Sequence, residues 1–95
     1  MSYNNNNMTN LKKYLIYNGF SNKLFNEELI IEAKSGADAC RQLLNDLNIK
    51  YTKIKRSSSN NVKIQVAPFY YNDKGQKISN GIKSWFIIYD GNNIL

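Results

Sequence analysis

A single punctuated helix, residues 35–47, constrains the fold of this chain more than any other feature. Ser35 offers an N-cap hydroxyl, and Asp38 places a carboxylate three residues on at the positive end of the helix dipole, a capping-box arrangement. Ala37, Cys40, Leu43, Leu44 and Leu47 then recur at helical spacing, with Asp38, Arg41, Gln42, Asn45 and Asp46 on the other side. Asn48 tolerates the left-handed conformation that stops helices, and Ile49 supplies a hydrophobic contact back to the last turn. One face of this helix must pack, and the remaining segments read as strands that can receive it.

Tyr14, Leu15, Ile16 and Tyr17 form a β-rich run closed by Asn18-Gly19. Phe20, Leu24 and Phe25 are apolar anchors in a connection, and residues 28–33 give a second strand, with a short helix over 22–31 as the alternative. Beyond the helix, residues 50–56 and 62–67 are strand-like, separated by the polar loop Ser57-Ser58-Ser59-Asn60-Asn61, and so read as a hairpin. Pro68 lacks an amide donor and should end that ladder or lie on an edge. Turns follow at Asn72-Asp73-Lys74-Gly75 and Ser79-Asn80-Gly81. Residues 83–89 are apolar on both faces, as in a central strand, and Asp90-Gly91 closes them. The expected architecture is α+β, in the order β-β-α-β-β-β, an antiparallel sheet with the helix on one face. Residues 1–10, rich in Asn, form a disordered tail in this reading, and residues 11–95 form one domain.

Enzyme chemistry is disfavoured by composition. The chain has no His, which removes the commonest general base, the commonest metal ligand and every imidazole-dependent nucleophile. Cys40, the one cysteine, falls on the packing face of the helix, where a thiol is inert, and it permits no internal disulfide. Glu27, Glu28, Glu32 and Asp38 lack a second acidic cluster to complete a site, and the glycines lie singly at turns rather than in a phosphate-cradling loop. The expectation is a protein without catalytic residues, cofactor or metal. No apolar run reaches the roughly 18 residues of a membrane span and residues 1–10 lack a signal layout, so the expected setting is the cytoplasm, without membrane contact.

Thirteen Lys and Arg against seven Asp and Glu give a formal charge of +6, which favours an anionic partner. In the expected hairpin, pairing Ile54 with Ile64 points Tyr51, Lys53 and Lys55 to one side, with Lys55 opposite Lys63 and with Lys50 and Arg56 at the border. Like charges placed opposite one another are destabilising, so the strip calls for phosphates to neutralise it, with Tyr51 stacking on a base. Lysines on an edge strand also guard against aggregation, which is the competing explanation. Phe69, Tyr70 and Tyr71 form a second patch suited to a protein partner.

These residues point to a small non-catalytic protein that engages nucleic acid or a nucleic-acid-handling complex through Lys50, Tyr51, Lys53, Lys55, Arg56, Lys63, Tyr70 and Tyr71. The alternative is a protein-protein module or homodimer without nucleic-acid contact, possible partners including an acidic protein surface. Sixteen Asn, eleven Ile and eleven Lys against two Arg match an A+T-rich genome, and in a phage or mobile element such a protein would inhibit or regulate host machinery.

Overall fold

A computed structural model describes residues 11–19, 24–57 and 64–95. Its elements are β1 (Lys12–Asn18), β2 (Leu29–Ala33), α1 (Gly36–Asp46), β3 (Lys53–Ser57), β4 (Ile64–Tyr71), β5 (Lys77–Ser79), β6 (Ser84–Asp90) and β7 (Asn93–Ile94). The strands form one antiparallel sheet in the spatial order β2-β1-β4-β6-β3, with β5 beside the end of β4 and β7 beside the end of β6. Among the described residues one helix, α1, rests on it, so the α+β architecture holds.

The helix forms where its punctuation requires. The Ser35 hydroxyl accepts from the Asp38 amide at 3.1 Å, while the Asp38 carboxylate turns to Arg41 at 2.7 Å. At the other end Asn48 adopts φ 58°, and the Asn48 and Ile49 amides donate back to the carbonyls of Asn45 and Leu44, a Schellman stop. Ala39, Cys40, Leu43 and Leu44 are the buried residues of α1. Leu47, expected in that stripe, is exposed, because it is the C-cap residue and lies past the last helical turn.

The core lies between α1 and one face of the sheet. Tyr14, Ile16, Ile31, Ala33, Ile64, Val66, Phe86 and Ile88 meet the helix there, with Ile54, Ile49 and Tyr51 packed at the margin. The α1 segment connects β2 at one edge of the sheet to β3 at the other, so it spans the full sheet.

Two expectations fail. Residues 50–56 and 62–67 do not pair as a hairpin: β3 pairs with β6, with Ile54 opposite Ile88 and Lys55 opposite Ile87, and β6 pairs in turn with β4. Two-sided apolarity gives β6 the inner place, and the more polar β3 takes the edge. Pro68 neither ends its ladder nor lies on an edge: β4 runs through it to Tyr71 and pairs with β1 on one side and with β5 and β6 on the other. The missing donor is accommodated by a break in the neighbour. The Pro68 carbonyl accepts from the Asn80 amide at 3.0 Å, so its nitrogen faces the same flank, where residues 80–83 bulge away between β5 and β6. Gly81 sits in that bulge at φ 136°, where an added Cβ would lie 3.1 Å from the Pro68 ring.

Candidate nucleic-acid interface

Alternation along paired strands sorts every strand residue to the helix side or to the face away from it. With Ile16 opposite Val66, Ile64 opposite Phe86 and Ile88 opposite Ile54 on the helix side, the other face carries Lys13, Leu15 and Tyr17 from β1, and Ile30 and Glu32 from β2. It continues with Gln65, Ala67, Phe69 and Tyr71 from β4, Lys77 from β5, Trp85, Ile87 and Tyr89 from β6, and Lys53 and Lys55 from β3. No described helix or strand packs across this face.

The face is aromatic at its centre and basic at its margins. Tyr17, Gln65, Trp85 and Ser57 form one row across four strands. Gln65 is 8% exposed, and its amide donates to the Tyr17 hydroxyl, which pins the tyrosine ring within that row. Trp85, Ile87 and Tyr89 follow one another along β6 at about 6.6 Å intervals, the repeat of same-face side chains. Lys53 places its ammonium 4.7 Å from the Tyr89 ring centroid, and Lys77 lies 5.9 Å from the Phe69 ring. The Phe69 and Tyr71 rings meet edge to face at 5.2 Å. Within the strands of this face, Glu32 is the sole carboxylate, and Lys13 pairs with it at 3.4 Å in solvent. Such an exposed pair adds little stability, and the net field of the face remains positive.

The residues expected at a site divide between surfaces. Lys53 and Lys55 are exposed and stand on the aromatic face. Arg56 points to the helix side, its guanidinium 5.7 Å from the Phe86 ring. Tyr51 is not the outward base-stacking residue expected. Thr52 binds the Tyr89 carbonyl through its amide at 2.7 Å and accepts from the Gly91 amide at 2.8 Å, and the bend there turns Tyr51 onto the core. Lys50 lies beside it in a hollow bounded by Leu44, Ile49 and Asp90, away from Lys53 and Lys55. Tyr70 and Tyr71 are 47% and 44% exposed but on opposite faces, while Phe69 beside them is buried. Lys63 lies outside the described residues, as do the tail at 1–10, Phe20 and the loop at 58–61. Lys55 itself stands opposite Ile87, because β6 occupies the place beside β3.

Sequence reasoning missed Tyr17, Trp85, Tyr89, Lys13 and Lys77. The signal that could have found them is the two-sided apolarity of β6: α1 covers one face of the sheet, and no described helix covers the second apolar face. Among the described residues no three His, Cys, Asp or Glu side chains converge on a point, and no described helix is long and apolar enough to cross a membrane. Burial pushes the Cys40 thiol up to about 12, with the charge of Arg41 acting in the opposite sense. At neutral pH it is a protonated core group with no nucleophilic character.

No family model matches the chain, and no curated protein or solved structure matches it. The functional reading therefore rests on the geometry of the site.

Proposed function

We propose that this chain is a non-catalytic binding protein that holds single-stranded nucleic acid on the sheet face away from α1. The carrying observation is that Tyr17, Trp85, Tyr89 and Tyr71 share one face with Lys13, Lys53, Lys55 and Lys77, with two of those lysines already over aromatic rings. Base stacking on such rings contributes about 1–3 kcal/mol per base and needs no particular sequence, while lysines at the rim track phosphates. A duplex keeps its bases stacked on one another and offers these rings nothing, so the preference is for an unpaired strand. Acting by occupancy, such a protein would regulate or block a machine that handles nucleic acid, the role expected of an inhibitor encoded by a phage or mobile element.

Fluorescence anisotropy with labelled oligothymidylate over a graded salt series tests the proposal. The expected result is salt-dependent binding whose log–log slope flattens by about 0.7 for each phosphate left without its lysine, as in Lys53→Gln and Lys55→Gln. Tyr89→Ala should weaken binding at every salt concentration. Binding that is absent, or equal in the wild type and the double lysine variant, refutes it.

A second reading draws on the apolar members of the same face. Leu15, Ala67 and Ile87 lie between the aromatics, and Ile30 on the outer strand β2 is 46% exposed. Such a surface suits a protein partner or a second copy of the chain. Sedimentation equilibrium distinguishes the two: a dimer dissociated by Ile30→Lys favours this reading, and a monomer that binds the oligonucleotide favours the first.

A further inference from the structure

The aromatic face is not the only place where cations converge. A cleft of about 500 Å³ opens on the helix side, at the start of α1, and Lys12, Lys34, Arg56 and Lys83 all line it. They come from β1, the β2–α1 connection, β3 and the β5–β6 bulge, four separate parts of the chain that the topology brings together. No described Asp or Glu lines the cleft. Among the described residues the ion pairs are Lys13–Glu32 and Arg41–Asp38, so none of these four cations is paired with a described carboxylate.

Four like charges around one hollow repel one another, and low-dielectric walls focus their field on an anion. The geometry also holds a neutral donor. Tyr14 lines the cleft and is 6% exposed, and burial, with the charge of Asp38 second, raises its pKa. The phenol therefore keeps its proton and can donate. Arg56 holds its guanidinium 5.7 Å from the Phe86 ring, and a planar fork of that kind matches two oxygens of one tetrahedral anion. The hollow is larger than an inorganic ion needs, and Pro68 and Ile82 supply apolar wall beside the cations.

We infer that this cleft binds a phosphate monoester, with Arg56, Lys12, Lys34 and Lys83 around the phosphate, Tyr14 as a donor and Pro68 and Ile82 against the attached group. A monoester carries nearly two negative charges at neutral pH, which a phosphodiester within a strand does not, so four unpaired cations favour the monoester. The group could be carried by a free nucleotide or by the phosphorylated end of a strand; the chemistry recognised is the same. This inference does not depend on strand binding at the aromatic face, because none of the four cations stands on that face, although the cleft reaches Trp85 and Ser57 at its rim.

Isothermal titration calorimetry on the full chain tests the inference, with thymidine, thymidine 5′-monophosphate, and oligothymidylate with and without a 5′-phosphate as the titrants. The expected result is saturable binding of the monophosphate, roughly tenfold or more tighter than the nucleoside. Lys34→Gln and Lys83→Gln, two exposed side chains with no part in the core, should each weaken it severalfold, while Lys50→Gln, an equal loss of charge elsewhere, should not. If the free monophosphate matches the phosphorylated strand, the cleft takes a nucleotide; if only the phosphorylated strand gains affinity over its unphosphorylated form, it takes a strand end. Either result supports the site. Overturning results are equal responses to nucleoside and monophosphate with no gain from the 5′-phosphate on the strand, or phosphate-dependent binding unchanged in Lys34→Gln and Lys83→Gln. Binding of the unphosphorylated strand reads the aromatic face alone, so failure there leaves the cleft result interpretable.

Discussion

Cys40 offers a test of the core in which the sign of the effect reverses with pH. Its side chain is fully buried between α1 and the sheet, and burial pushes its pKa from 9.0 up to about 12. Above pH 9.0 the unfolded chain gives up this proton while the folded chain keeps it, so the unfolded state binds fewer protons and stability falls as pH rises. The slope is about 1.4 kcal/mol per pH unit, and the loss saturates near roughly 4 kcal/mol once pH passes the folded value. Below pH 9.0 the contribution is fully present. Replacing Cys40 with Ala removes the titration and leaves a small cavity, at a cost of about 1 kcal/mol. The variant should therefore be less stable than the wild type at neutral pH and more stable in strong alkali, with the curves crossing at about pH 10. Urea unfolding followed by far-ultraviolet circular dichroism at several pH values measures both curves. Tyrosine and lysine titrations affect the two proteins alike and cancel in the difference. Parallel curves with no crossing would show that Cys40 does not hold its proton in the folded state, and the sealed core would fall with them.

Other substitutions test the bulge, the cap, the core and the aromatic face separately. Gly81→Ala, at φ 136° and against the Pro68 ring, should cost about 1–3 kcal/mol in chemical unfolding, and adding Pro68→Ala should recover the steric part. Ser35→Ala removes the N-cap acceptor and should cost about 1 kcal/mol, with the loss visible as reduced helical signal on heating. Leu44→Ala empties a fully buried site under the sheet and should cost about 2–5 kcal/mol. Gln65→Leu frees the Tyr17 hydroxyl without removing either ring, and should weaken strand binding in the anisotropy assay while leaving stability nearly unchanged.

How much of this could be read from residues alone depends on the range of the interaction. The α1 boundaries follow from contacts within a few residues, Ser35 to Asp38 and Ile49 to Leu44, and the sequence carries them openly. The β1 and β2 segments and the turn after Tyr71 are local in the same sense, with Asn72 gathering the amides of Lys74 and Gln76. Pairing is not local. Nothing in residues 50–67 announces that β6 will enter between β3 and β4, because a polar loop of hairpin length fits a hairpin equally well. The site followed the same division: Lys53 and Lys55 were visible as outward lysines, whereas Tyr17, Trp85 and the four cations of the cleft meet only through the strand order. Tyr51 was misread because a bend at Thr52, held by Tyr89 and Gly91 far along the chain, breaks the alternation that would have turned it outward.

The inner place of β6 has a consequence for how copies of this chain treat one another. Without β6, β3 has no strand partner and β4 keeps only β5 on that flank, so both need the same segment. Pairing between segments distant in sequence forms slowly, and an unfilled slot accepts an identical strand from a neighbour once the chain concentration approaches the effective concentration of its own strand. The bulge at residues 80–83, with Gly81 at φ 136° and Ile82 89% exposed, is the segment that would have to act as the hinge if β6 were exchanged. Refolding at high concentration should therefore yield strand-exchanged dimers, and stiffening that hinge or diluting the chain should suppress them.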